Sequence, residues 1–210
     1  MFIKICGTTS AEDALLAVSL GADAVGFIFA ESKRRVDASI VADIVAQLPQ
    51  ETLAVGVFRD QPVADIARIV EATGLRGVQL HGSEEPEIAV ALRPEVAFLV
   101  QAFTVTDERL DRLDDYPIDA MLLDAPTPGS GHTFDWSRIG DLPTRRRLIL
   151  AGGLDPSNVA EAVRRVRPWG VDVASGVESS AGGKDPELLG GFIAAARDAL
   201  SEFSTDPGPA

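Results

Sequence analysis

Short β-branched or aromatic runs alternate with longer stretches of helical period from one end of this chain to the other. Eight strand-like runs can be marked, at residues 2–6, 24–29, 53–58, 77–80, 97–101, 120–123, 148–150 and 170–173. Their starts recur about every 20 to 30 residues, the room needed by a strand, a helix and two short loops. The intervening stretches carry helix signals. Ser10 precedes an acidic first turn, Asp155-Pro156 and Asp185-Pro186 read as a cap followed by a first-turn proline, and Gly21 and Gly74 read as stops. Gly21-Ala22-Asp23-Ala24-Val25 and Gly74-Leu75-Arg76-Gly77-Val78 are weak internal repeats of one unit ending.

Eight βα units can close into a barrel or lie in an open doubly wound sheet. An open dinucleotide-binding sheet calls for Gly-x-Gly-x-x-Gly after its first strand, and here only Cys6-Gly7-Thr8-Thr9 follows. The expectation is a single-domain α/β protein, a (β/α)8 TIM barrel over residues 1–203, with 204–210 as a disordered polar tail. The unit after the sixth strand departs from the rule. Residues 126–133 are rich in Gly, Pro and Thr, which predicts a mobile active-site loop with only a short helical turn over 135–139.

Charge and cysteine content remove several classes of function. The 210 residues carry a net charge of −13, which repels nucleic acid and anionic lipid, and Lys33-Arg34-Arg35 is too short a basic cluster to reverse that. No apolar run approaches the roughly 20 residues of a membrane helix. One cysteine forbids an internal disulfide, and the first residues lack the pattern of a signal peptide, so a reduced, cytoplasmic compartment is expected.

In a closed parallel barrel, functional side chains are expected at the C-terminal ends of strands. Cys6 ends the first. It can be a buried structural thiol or a base, and as a base it needs help, because an ordinary thiol of pKa about 8.5 is mostly protonated at neutral pH. Arg34, after the second strand, is either a solvated loop charge or a two-point receptor for a carboxylate. Asp124 ends the sixth strand. It either caps a turn or, partly desolvated, donates a proton. Gly152 and Gly153 follow the seventh strand, and Ser175 and Gly176 the eighth. Such glycines can mean tight turns only, but their position is where barrel enzymes place a phosphate site of backbone N–H groups. Asp172, within the eighth strand, either orients a substrate hydroxyl or satisfies polar neighbours inside the barrel. His81 ends the fourth strand and reads as a hydrogen-bonded structural residue. The only other histidine is His132, so no metal site is expected, and neither a flavin nor a nicotinamide motif is visible. What remains is acid–base chemistry on a small phosphorylated molecule without a cofactor.

Beyond these generic signals, Lys4-Ile5-Cys6-Gly7, Gly21 to Phe27, Ser32-Lys33-Arg34 and Val55-Gly56-Val57-Phe58 stand in a particular order. Gln79-Leu80-His81-Gly82, Leu122-Leu123-Asp124, Thr133-Phe134-Asp135-Trp136, Ala151 to Leu154 and Val171 to Glu178 follow them. The set resembles the phosphoribosylanthranilate isomerases over nearly all of residues 2–200. The resemblance implies a cofactor-free Amadori rearrangement, with Cys6 as general base and Asp124 as general acid. It further implies that Arg34 receives the anthranilate carboxylate and that the glycine loops hold the phosphate. His132, Gln101 and Arg59-Asp60 depart from residues common in that family (lysine, lysine and Val-Asn), and 179–184 is slightly altered. Two rivals remain. Another phosphate-binding barrel enzyme would want metal-ligating histidines or a catalytic lysine with glutamates at strand ends. A non-catalytic metabolite-binding barrel could dispense with Cys6 or Asp124. A monomer is expected in preference to a dimer.

Overall fold

The structure, a computed structural model, describes residues 1–125, 136–139 and 146–204. Eight strands run in the order β1 (Phe2–Ile5), β2 (Ala24–Ile28), β3 (Leu53–Phe58), β4 (Gly77–Leu80), β5 (Phe98–Thr104), β6 (Ala120–Asp124), β7 (Arg147–Leu150) and β8 (Gly170–Val173). Each pairs in parallel with its neighbours, and β8 returns to β1, closing the barrel. Helices α1 (Ala11–Ser19), α2 (Ala38–Val45), α3 (Val63–Thr73), α4 (Pro86–Leu92), α5 (Val159–Val166) and α6 (Pro186–Ser204) flank it. The single-domain TIM barrel expected from the eightfold pattern is therefore the observed fold.

Local signals account for some element ends. Ser10 caps α1 by accepting a hydrogen bond from the Asp13 N–H, and the Asp185 carboxylate accepts from the Glu187 and Leu188 N–H groups at the start of α6. Asp155-Pro156 behaves differently. Asp155 accepts from the Ser157 and Asn158 N–H groups in a side-chain-closed turn, and α5 begins only at Val159. Strand β5 runs on to Thr104, past the expected end at Gln101, because it pairs with β6 as far as Thr104 beside Asp124. A 3-10 run at Glu108–Asp115, kinked at Arg112, replaces a full helix after β5, and Trp136–Ile139 forms the short turn expected after β6. The expected mobile loop and His132 lie outside the described residues. So does the expected tail, apart from Ser204 at the end of α6.

Alternation along the strands makes two cores. Outward residues such as Ile3, Phe27, Leu80, Leu99 and Leu123 pack beneath the helices, whereas Val100, Ala102, Ala120, Leu122, Ile149 and Ala151 fill the barrel. Phe2 stacks on Trp169 at 4.7 Å with Phe98 alongside, closing the N-terminal end. The same period of two carries Cys6, His81, Asp124 and Ala174 to the inward side at the opposite mouth. No helix among the described residues is long and apolar enough to cross a membrane.

Candidate active site

At the C-terminal mouth, one cavity of about 180 Å³ is lined by Cys6, Arg34, His81, Asp124 and Asp172, among others. Cys6 follows β1 and Asp124 ends β6, and β7 and β8 stand between those strands on the shorter way round the ring. The two residues therefore approach the cavity from different sides.

Cys6 is buried, and its backbone N–H donates to Val173 O at 2.7 Å, tying it to β8. Register sets Lys4 beside Asp172, and the Lys4 Nζ donates to Asp172 Oδ1 at 2.9 Å inside the barrel. Burial opposes the charge on Lys4, yet Asp172 and Cys6 hold its pKa above the ordinary lysine value. Burial pushes the Cys6 thiol up. The Lys4 ammonium pulls it down, Asp172 pushes with burial, and the net direction is upward. Gly26 makes this crowding possible, since a Cβ there would lie 2.9 Å from Cys6 Sγ and 3.1 Å from Lys4 Nζ.

Asp124 is buried. Its Oδ1 accepts from the Ala125 N–H at 2.7 Å, and its Oδ2 lies 3.2 Å from His81 Nε2. Arg34 is already engaged: Nε donates to both oxygens of Glu178 (2.8 and 3.0 Å), and Nη2 donates to Oε2 at 2.8 Å. These hydrogen bonds raise the Arg34 pKa. Burial opposes ionisation of Glu178, but the donors from Arg34 and Lys184 hold it below the usual carboxylate range. The buried Lys184 Nζ also donates to Cys6 O at 2.7 Å and Ala174 O at 3.2 Å. A small antiparallel pair, β9 (Glu178–Ser180) and β10 (Gly183–Lys184), places both partners.

The glycine loops meet in an adjoining cavity of about 60 Å³, lined by Gly152, Gly153 and Ser175 together with Asp124 and Asp172. Gly152 and Gly153 have positive φ of 86° and 65°, and Asn158 Nδ2 donates to Gly153 O at 2.9 Å. Gly176 does not line the cavity. It lets the two loops touch, since a Cβ there would overlap the Leu154 carbonyl.

The structure thus gathers Cys6, Arg34, Asp124, Asp172 and the glycine loops around one mouth. Asp172 satisfies a polar neighbour, Lys4, and also lines both cavities. Gln101 belongs elsewhere: it faces the layer under the helices, with Nε2 3.3 Å from Glu84 Oε2, so its departure from the family residue lies outside the cavity. Sequence reasoning passed over Lys4, Gln79, Glu178 and Lys184. Lys4 had a signal, a charge at an inward position of an apolar strand, but Glu178 had none stronger than membership of a motif and Lys184 only a place in the altered segment 179–184. Among the described residues no three His, Cys, Asp or Glu side chains cluster as a metal site would require.

Residues 3–195 match the family model for N-(5'-phosphoribosyl)anthranilate (PRA) isomerase. The protein so named from Pelobacter propionicus is 43% identical over 206 residues, covering 95% of this chain and 97% of its own. The phosphoribosyl anthranilate isomerase structure from Thermus thermophilus superposes with a TM-score of 0.88 at 41% identity, covering 94% of this chain and 99% of its own. A phosphoribosyl anthranilate isomerase solved with reduced 1-(o-carboxyphenylamino)-1-deoxyribulose 5-phosphate gives 0.85 at 39% identity, with the same coverage.

Proposed function

The chain belongs to the N-(5'-phosphoribosyl)anthranilate isomerase family, and from that premise we propose that Cys6 is the general base and Asp124 the general acid of its reaction. The reaction converts N-(5-phosphoribosyl)anthranilate to 1-(o-carboxyphenylamino)-1-deoxyribulose 5-phosphate, an aldose-to-ketose step of tryptophan biosynthesis. The observation that carries the role assignment is the shared cavity, in which Cys6, Asp124 and Arg34 stand beside the glycine-loop cavity.

Protonated Asp124 donates to the furanose ring oxygen as the C1'–O bond breaks, and the anthranilate nitrogen lone pair forms the C1'=N iminium. Cys6 thiolate then removes the C2' proton. The C–H electron pair becomes the C1'=C2' bond and the iminium π pair returns to nitrogen, giving an enolamine. Loss of the C2' hydroxyl proton and protonation of C1' yield the ketone. The substrate supplies its own electron sink, so the chain's acid and base suffice, each contributing about 10²- to 10⁴-fold. The iminium also answers the high pKa of the buried thiol, because a cation formed beside Cys6 favours its ionised form at the moment the base is needed.

In this reading the phosphate lies against the N–H groups of Gly152, Gly153 and Ser175, on the two loops that Gly176 lets meet. Asp172 borders both cavities and is the partner for a ribose hydroxyl. The anthranilate carboxylate takes Arg34, whose Nη1 has no partner among the described residues, while Glu178 fixes the other two nitrogens. A cytoplasmic location suits a base that must remain a free thiol. A monomer is supported by how few large apolar side chains are exposed among the described residues, namely Leu15, Leu20, Ile40, Val90 and Leu188. Light scattering at twice the chain mass would refute that state.

The test is the loss of anthranilate-type fluorescence when the protein meets freshly generated substrate in the presence of a chelator. Chelator-resistant turnover, lost on replacing Cys6 or Asp124, is the expected result. Binding of the phosphorylated compound without turnover would leave a metabolite-binding barrel instead.

A further inference from the structure

Behind Arg34 stand two more buried charges. The side chains of Arg34, Glu178 and Lys184 are 16%, 4% and 0% exposed, and of the three only Arg34 lines the inner cavity. Glu178 takes three hydrogen bonds from Arg34 on its two oxygens, and Lys184 Nζ donates to its Oε1 at 2.8 Å. One carboxylate therefore serves two cations, which leaves the row with an excess of one positive charge. From this excess we propose that Lys184 is a specificity-determining residue that acts through Glu178 to keep the Arg34 charge free for the anthranilate carboxylate. The inference rests on Arg34 being the receptor of that carboxylate.

Without Lys184, Arg34 and Glu178 make a neutral pair. A carboxylate arriving at Arg34 would then meet the Glu178 charge across the same guanidinium, and the attraction of one would be offset by the repulsion of the other. Lys184 cancels the Glu178 charge. Its other acceptors, Cys6 O at 2.7 Å and Ala174 O at 3.2 Å, are carbonyls that a neutral donor would satisfy equally. The ammonium is thus more than those carbonyls require, and a buried charge without a counter-ion is costly. Neighbouring carboxylates are engaged elsewhere: Asp172 is paired with Lys4, and Asp13 accepts from the Lys184 backbone N–H at 3.3 Å, not from the ammonium. An anion seated on Arg34 closes the balance, with two negative charges against two positive.

Local structure fixes the lysine in this place. Glu178 and Lys184 are cross-strand partners in the β9–β10 pair. The connection runs through Gly182, whose φ of 87° suits glycine, and Thr9 Oγ1 donates to Gly182 O at 2.8 Å, pinning the pair to the loop after β1. Lys184 does not line the cavity, so it works as a charge behind the receptor and not as a contact to the substrate.

The experiment measures the binding of reduced 1-(o-carboxyphenylamino)-1-deoxyribulose 5-phosphate, and of the same compound without its carboxylate, to three proteins: wild type, Lys184→Met, and Lys184→Met combined with Glu178→Gln. Lys184→Met should weaken the carboxylate-bearing compound about 10-fold and the other by no more than about twofold, because only the first senses the lost charge. Adding Glu178→Gln removes the opposing charge and should recover a large part of that loss, even though Arg34 then has fewer hydrogen bonds. A lysine with a purely structural role predicts a further loss in the double variant. Lys184→Gln, which keeps a donor for Cys6 O, gives the same comparison if Lys184→Met does not fold. Equal weakening of both compounds, no recovery in the double variant, or a fall in kcat with binding unchanged each overturns the proposal. If the wild type binds the two compounds alike, it is the role of Arg34 as carboxylate receptor that has failed.

Discussion

Lys4 Nζ and Asp172 Oδ1 form a 2.9 Å ion pair inside the barrel, with side chains 1% and 8% exposed, and the Cys6 thiol is packed beside the lysine. Removing one partner leaves an uncompensated buried charge, whereas removing both can be nearly neutral. Lys4→Met should therefore cost about 3–5 kcal/mol of unfolding free energy, and Lys4→Met with Asp172→Leu should recover most of it without recovering turnover. Urea denaturation of the three proteins checks this, and equal midpoints for wild type and Lys4→Met would contradict it.

The same environment sets how the thiol titrates. Burial raises the Cys6 pKa above that of an ordinary thiol, so the free enzyme should alkylate slowly with iodoacetamide at neutral pH, and the rate should climb only above the usual thiol range. Fast alkylation at pH 7 that substrate does not influence would show that the thiolate is already present.

Cys6→Ala and Asp124→Asn should each lower turnover by about 10²- to 10⁴-fold, the range for a lost acid or base, while the reduced product still binds. Titration of that compound into each variant separates lost chemistry from lost binding. Near-native turnover in either variant removes that residue from its role.

Glu178 links acid stability to the site. Its pKa is lowered in the folded protein from an ordinary 4.5. Its contribution is therefore complete above that value and is lost as pH falls through the folded-state pKa. Glu178→Gln should flatten this part of the stability profile below pH 4.5 and also raise KM, because Arg34 loses the carboxylate that holds two of its nitrogens. Thermal unfolding across the acid range is the measurement, and an unchanged slope would exclude Glu178 as a source.

Gly176→Ala should press a methyl group into the Leu154 carbonyl and separate the two glycine loops. An overpacked site of this kind costs about 1–3 kcal/mol. KM for the phosphorylated substrate should rise more than kcat falls. Inorganic phosphate inhibition, measured alongside, should weaken in step.

Much of this molecule was legible along the chain. Eight βα units, the period-two alternation that turns Cys6 and Asp124 inward at strand ends, and the glycine segments after β7 and β8 are short-range properties that need only local rules. The expectation over residues 126–133 rested on composition alone. Tertiary structure decided the rest, because its partners are brought together by ring closure and not by spacing. Glu178 reaches Arg34 across 144 positions and His81 reaches Asp124 across 43. Lys4 finds Asp172 only where β8 meets β1. Whether Arg34 was a solvated charge or a held one depended on which loops met at the mouth, and that is settled when the barrel closes.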